Sequence, residues 1–495
     1  MSVEIDLSKP GSGPGGPLSE SGGGAFLASR RGKLTLFLLC AVAFLDFVDA
    51  SIVNTALPSI QRDLSLSTQS LQWVPSGYLL TYGGLMLLGG RAADLLGRRR
   101  VLIAGTVVFG IASLVGGLAQ TSGVLIGARL AQGTGAAMML PAALSILTTS
   151  FAEGPERTKA LGAWAGTGAL ASAVGVFLGG ALTEGPGWRW VMFVNLPVCV
   201  LVLPAIPRLI GDDRRRMPRG GFDALGTVLA TSGLLLLVYG LVKAPDQGWS
   251  ATSTVVELTL AGALLTAFVW CEAVARNPLM PLSVFRIRGL AAANVTQLIA
   301  MCGFISMFFF LTLYMQDVLG YSPLKAGAAW LPLCVGVAVS AGIASQLLPR
   351  IGTRPVIAAG AVVAAAGMYL LSRIPVDGSY AADLLPGMLI VSLGLGGVFV
   401  GITTAANAGV PADKAGLAAA LLNTSQQLGG ALGLAVLSAV ATARTHAVAG
   451  TESAAGAATS GFGRALLVGS VFLAVAGAVA LRAPNTKGVE VDGEG

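Results

Sequence analysis

Between residues 34 and 481 the sequence returns again and again to apolar runs of about 18–26 residues, each long enough to cross ~30 Å of hydrocarbon as one α-helix. The runs fall near 34–57, 71–90, 101–119, 124–149, 160–182, 189–210, 223–243, 254–275, 290–313, 324–348, 355–372, 384–404, 418–442 and 463–481, which predicts fourteen transmembrane helices. A chain built this way has few other options, because a bilayer offers backbone groups no water and so admits helices or closed barrels. Only 11% of residues are charged, against about 25% in a soluble domain. The 68 glycines suit helices whose backbones approach closely. No loop is long enough to hold a soluble domain.

The net charge of +7 would suggest nucleic acid in a soluble protein. Here it has a different origin. With both termini in the cytoplasm, the inner segments and helix ends hold 23 of the 31 Lys and Arg and the outer ones hold 7. That asymmetry sets the orientation. Residues 1–33, rich in Gly, Ser and Pro, read as a disordered cytoplasmic tail, and 483–495 as a second tail. No cleavable signal is expected ahead of the first span, which is long enough to direct its own insertion.

Chemistry that needs reactive clusters is poorly supplied. Cys40, Cys199, Cys271, Cys302 and Cys334 each sit alone in an apolar span, as small buried hydrophobes do. The only histidine, His446, falls in a predicted outer loop, so neither a His-based metal site nor a His relay is available. The phosphate-cradling G-x-x-x-x-G-K-[ST] pattern is absent, and no nucleophile–base constellation appears. The expectation is a chain that is not an enzyme and holds no metal or cofactor.

Against that background, Asp46 and Asp49 stand near the middle of the first span, in F-L-D-F-V-D-A-S-I-V-N-T-A-L-P (44–58). Ionised groups at membrane depth are costly and rare. At i and i+3 the two share one helix face, and burial with mutual repulsion favours a bound proton. Such a pair can take a proton on one side and release it on the other. Arg129, inside the fourth span in L-I-G-A-R-L-A-Q-G-T-G-A-A (125–137), stays protonated and needs a counter-charge. Asp46 or Asp49 is its acidic partner at similar depth; the other reading is an arginine snorkelling to the outer surface.

Further motifs carry two readings each. G-R-A-A-D-L-L-G-R-R-R (90–100), an inner loop, anchors to anionic lipid, and its spacing also suits an interdomain latch built on Asp94 with Arg98 or Arg99. The glycine run 166–180 in the fifth span serves plain packing or a helix that bends and slides. Trp188, Arg189 and Trp190 read as an outer aromatic anchor. In N-T-S-Q-Q-L-G-G (423–430), Asn423, Gln426 and Gln427 serve interhelical hydrogen bonds or ligand contact. Glu257, Glu272, Asp223 and Asp383 lie near span ends and read as interfacial.

The G-x-R elements at Gly97/Arg99 and Gly352/Arg354 follow the second and tenth spans. They relate a first half, 34–210, to a second, 290–482, with the two helices of 223–275 inserted between them. Two repeated six-helix halves about a central site form a transporter architecture.

Over 34–482 the chain resembles the major facilitator superfamily, and within it the fourteen-helix drug:proton antiporters. Asp49, Ile52, Val53, Asn54, Ala56, Leu57 and Pro58 match that subfamily's first-helix motif, with Asp46 as an additional acid one turn earlier. Gly90, Asp94, Gly97, Arg98 and Arg99 match its loop motif, with Ala92 and Leu95 where the family has Leu and Arg. Arg129, Gln132, Gly133, Gly135 and Ala137 match the fourth-helix motif, whose arginine the family implicates in proton transfer. Gly175, Gly179 and Gly180 match the antiporter motif of the fifth helix, with Val176 in place of its proline. Segments 188–197, 311–316, 322–327 and 415–430 are also similar.

The resemblance implies an all-α integral membrane protein of the major-facilitator fold with 14 transmembrane helices. It would be a proton-driven exporter of hydrophobic or cationic drugs or antibiotics, working as a monomer in a bacterial cytoplasmic membrane. Asp46, Asp49 and Arg129 would couple protons, and Gln132, Asn423, Gln426 and Gln427 would offer polar groups to the substrate cavity. A carrier taking up a nutrient or metabolite, or one exporting a single self-made antibiotic, is the alternative.

Overall fold

Every backbone N–H and C=O within hydrocarbon must be satisfied inside its own segment, and the chain satisfies them with helices. The computed structural model describes residues 26–152, 155–211, 224–275, 287, 289–408, 410 and 415–485, with no strand among them. The long helices are α1 (Arg30–Asp63), α2 (Trp73–Leu96), α3 (Arg98–Gly117), α4 (Ser122–Ser150), α5 (Pro155–Glu184), α6 (Asn195–Leu209) and α7 (Ala224–Gln247). They continue with α8 (Thr252–Val274), α9 (Leu290–Leu313), α10 (Leu331–Ile351), α11 (Thr353–Leu371), α12 (Leu385–Asn407), α13 (Ala415–Val448) and α14 (Ala454–Ala480). Every predicted span carries helix. Among the described residues, twelve spans are long and apolar enough to cross a membrane. α2 is not in that set, because tyrosines and glycines dilute its apolarity, and α7 enters only as the shorter apolar stretch Val228–Leu241, which is bounded by residues whose side chains lie outside the described ones.

The two halves repeat. In the first, α4 packs against α2 and α3, α1 against α5 and α6, and α3 against α6. In the second, α12 packs against α10 and α11, α9 against α13 and α14, and α11 against α14. Adding eight to each helix number converts one list into the other. The seam obeys the same exchange, since α2 packs on α13 while α5 packs on α10 and on the short helix Pro323–Ala329 before it. α7 leans on α2 and α13 at the edge of this seam, and α8 packs on α7.

Two glycines mark the equivalent turns. Gly97, between α2 and α3, has φ +97°, and Gly352, between α10 and α11, has φ +88°. Both lie where a Cβ is disfavoured. A Cβ on Gly97 would meet nothing within 4 Å, so Gly97→Ala isolates the backbone cost. We expect it to destabilise by about 1–2 kcal/mol, measured as a lowered Tm of the purified protein in detergent.

Helix ends differ from the predicted spans. α1, α5, α13 and α14 outrun their apolar runs, because apolarity reports hydrocarbon thickness while the helix continues until a cap or turn stops it. Ser453 caps α14 through the Gly456 N–H at 3.1 Å, so the helix starts nine residues before the predicted span. His446, expected in a loop, lies exposed in the last turn of α13. Of the expected tail 1–33, residues 26–33 are ordered into a short 3-10 turn and the start of α1. Ser29 caps that helix through Gly32 N–H at 2.9 Å, Phe26 packs on Phe151, and Leu27 N–H donates to Glu156. At the other terminus Asn485 accepts from Arg354 N–H at 3.1 Å, tying 483–485 to the start of α11.

Candidate functional site

Two helices bring the charged groups together. On α1, Asp46 and Asp49 are one turn apart on one face and are 1% and 0% exposed. α4 brings Arg129 and Gln132, again one turn apart. It can reach α2 this closely because position 133 is glycine: a Cβ there would collide with Tyr78 O and Thr81 Oγ1. Gly135, on the opposite face, lets α4 approach Phe109 N of α3, which a Cβ would reach at 2.7 Å. The glycines of this segment set the helix spacing, and its Arg and Gln fill the gap so formed.

Arg129 Nη1 donates to Asp49 Oδ2 at 2.6 Å and to Gln132 Oε1 at 2.8 Å, and Nε donates to Val74 O at 3.0 Å. Asp49 Oδ1 accepts from Asn195 Nδ2 at 2.6 Å and Gln132 Nε2 at 3.2 Å. Ser113 Oγ on α3 accepts from the same two amides at 2.8 and 2.7 Å. The pair is thus enclosed by five elements of the first half. A buried ion pair survives desolvation only when its geometry and remaining hydrogen bonds are this well satisfied.

Asp46 lives differently. Its oxygens accept from Tyr78 Oη at 2.5 Å and Tyr82 Oη at 3.3 Å, both on α2. The Tyr78 ring lies 4.3 Å beneath the Arg129 guanidinium, so one residue touches both charged clusters. Gln427 of α13 stands across the seam here, its Cβ against Gly83, the residue after Tyr82.

The other candidate residues are distributed over three places. Gln132 belongs to the Asp49 cluster and not with Asn423, Gln426 and Gln427, because the turn of α4 that carries Arg129 points it into the first half. Fully buried, it spends its polar atoms on Arg129, Asp49 and Ser113. Asn423 bonds back to Ala419 O at 3.0 Å, and Gln426 accepts from Gln297 at 3.2 Å. Gln427 lies on the seam against Gly83 of α2. In the loop segment, Gly90 faces Pro141, Gly97 forms the turn, and Arg98 Nη1 donates to Thr149 Oγ1 at 2.9 Å. Arg99 opens α3 beside it, and the side chain of Asp94 lies outside the described residues.

The fifth-helix glycines separate into two functions. Gly175 and Gly179 face α1, where a Cβ would lie 3.0 Å from Val48 O and 2.5 Å from Ile52 O. Gly180 faces the second half, 2.5 Å from Pro323 O by the same measure. Around that contact, Gln316 Nε2 donates to Thr55 O at 2.8 Å, Leu324 N–H to Glu184 at 3.1 Å, and Arg62 pairs with Asp317 at 3.3 Å. The halves therefore meet at the end of the bundle where α1 finishes.

Several of these partners are invisible to motif reading. Tyr78, Tyr82, Ser113, Glu184 and Gln316 carry no depth-breaking charge or sit near span ends. Asn195 and Trp188 lie in a segment read as an aromatic anchor. Only Trp190 is half exposed there; Trp188 is buried and donates to Asp63 at 3.0 Å, beside an Arg189–Asp63 pair at 2.8 Å. The signal available was the lone Asn at a helix start. Glu272, read as interfacial, is buried instead, because α8 packs on α7 along its length; Asp223 lies outside the described residues.

Comparison with known proteins places this geometry. The family model described as Major Facilitator Superfamily matches residues 39–434. The chain is 42% identical over 427 residues to the puromycin resistance protein pur8 of Streptomyces alboniger, covering 86% of this chain and 84% of that one. It is 41% identical to the cephamycin export protein CmcT of Amycolatopsis lactamdurans, covering 81% and 83%. Among solved structures, a bacterial homologue of the human lysosomal transporter Spinster, inward-facing and unoccupied, superposes with a TM-score of 0.65 at 16% identity, covering 92% of this chain and 97% of that one.

Proposed function

Because the chain belongs to the major facilitator superfamily, we propose that it is a proton-coupled antiporter that exports hydrophobic or amphipathic drugs or antibiotics across a bacterial cytoplasmic membrane. The observation that carries this reading is the enclosed Asp49–Arg129 pair with Asp46 beside it, three ionisable groups at essentially zero exposure in a bundle of membrane-spanning helices. Groups that costly persist at such depth for ion or proton traffic. Relatives named for puromycin resistance, cephamycin export and tetracenomycin C resistance and export support the drug substrate. The first two are almost equally similar to this chain and are named for different antibiotics, so overall identity does not select the compound.

In this reading both termini are cytoplasmic, as the basic residues demand, and the contacts around Gly180 and Pro323 close the outer end. A compound enters from the cytoplasm between the halves, where Asn423, Gln426 and Gln427 offer polar groups. One half then rocks against the other. Protons entering from outside reset the carboxyls of α1, and the segment Gly90, Asp94, Gly97, Arg98 and Arg99 latches the inner end in one state. No cofactor takes part, the gradient supplies the work, and a monomer suffices because both halves lie in one chain.

The test is ethidium efflux from expressing cells, with and without a protonophore. Efflux that stops when the gradient collapses is the expected result. Expression without ethidium efflux would indicate a narrow exporter and move the screen to single antibiotics. Efflux indifferent to the gradient would overturn proton coupling.

A further inference from the structure

We propose that Asp46, and not Asp49, is the carboxyl that gives up and regains a proton during the cycle. The inference rests on the reading of the chain as a proton-coupled carrier and assigns the step to one atom group within it.

The geometry treats the two acids unequally. Asp49 is committed: a guanidinium nitrogen at 2.6 Å and two amide donors occupy its oxygens. Amide and guanidinium N–H groups donate only. A proton on Asp49 would find only donors among these partners and would neutralise the counter-charge of Arg129, which has no solvent to retreat to at 1% exposure.

Asp46 has phenols instead, and a phenol hydroxyl both donates and accepts. Ionised, Asp46 accepts from Tyr78 and Tyr82. Protonated, its new O–H donates to one phenolic oxygen while the other hydroxyl still donates to it. The pocket holds either state by turning O–H bonds, with no side chain displaced. The proton comes from water and returns to water; only the carboxyl O–H bond forms and breaks.

The charged and titratable groups facing Asp46 are few. Asp49 stands one turn away on α1, Arg129 lies on α4 behind the Tyr78 ring, Tyr78 and Tyr82 come from α2, and Cys199 on α6 lies toward Asp49. From α13 comes Gln427, which is neutral. While Asp46 is ionised, Tyr82 spends its hydrogen on the carboxylate.

The experiment is infrared spectroscopy of the purified full-length protein in lipid, following the C=O stretch of protonated carboxyls as pH is varied. A titrating band is expected that disappears in Asp46→Asn and persists in Asp49→Asn. In Tyr78→Phe its midpoint should move to higher pH, because the carboxylate loses a donor while the ring under Arg129 stays. A band that vanishes in Asp49→Asn and survives in Asp46→Asn would overturn the assignment, as would a midpoint unmoved by Tyr78→Phe. The last arm also stands if Asp49→Asn fails to fold. The band is read without any transported compound, so a wrong view of the substrate, or a failed efflux assay, leaves this result intact.

Discussion

Replacing Arg129 by leucine is expected to abolish drug resistance and to destabilise the protein by about 3–5 kcal/mol, the usual cost of removing one member of a buried pair. The cost arises at Asp49. Its Oδ2 loses the 2.6 Å donor, Gln132 Oε1 loses its 2.8 Å donor, and neither atom can reach water. The Val74 carbonyl on α2 loses its second donor as well. Arg129→Lys keeps the charge but has no planar fork to serve Asp49, Gln132 and Val74 together, so an intermediate loss of stability is expected, with resistance still strongly impaired. The double variant Asp49→Leu/Arg129→Leu removes both charges and should recover part of the stability lost in the single variant, because an apolar pair costs no desolvation. It should recover no transport. Thermal unfolding in detergent, beside growth on the exported compound, separates the two effects. Equal stability in wild type and Arg129→Leu would mean that the pair does not hold this half together.

The sequence revealed depth better than it revealed partnership. Fourteen apolar runs and the basic loops between them display the helices directly, because hydrocarbon thickness fixes run length. The half-repeat was readable from two glycine turns, Gly97 and Gly352, since a positive φ leaves a residue-type trace. Asp46, Asp49 and Arg129 stood out because charge is rare at that depth. Their pairing did not, since i, i+3 spacing puts both acids on one face and says nothing of which way α4 turns. Ser113, Asn195, Tyr78 and Tyr82 were hidden for another reason: uncharged polar groups are ordinary in membrane helices, and only the fold shows that three helices gather them around one carboxylate pair. Gln132 was grouped with Gln426 by residue type and is separated from it by the seam between the halves.

Two adjacent glycines of α5 should give different failures when enlarged. Gly179→Leu places its Cβ against Ile52 O and Thr55 of α1, backbone and side chain within one half. Those helices belong to a packed unit in every state, so the collision is never relieved. Overpacking of this kind costs about 1–3 kcal/mol or more, and poor expression with a lowered Tm is expected. Gly180→Leu meets Pro323 O and the Leu324 Cα of the opposite half instead. On the proposed cycle that contact exists only while the outer end is closed, so the variant can fold by leaving it open. We expect near-normal expression and Tm, lost efflux, and a cysteine placed at Thr55 newly reactive toward a membrane-impermeant thiol reagent added from outside. Thr55 is a suitable reporter because it is fully buried and its carbonyl is held by Gln316 across the seam. The backbone proximity of Gly180 to Pro323 would be irrelevant to gating if Gly180→Leu exported as well as wild type, and the two glycines would be equivalent packing positions if both variants failed to express. A split between them identifies which face of α5 belongs to the fixed half and which to the moving contact.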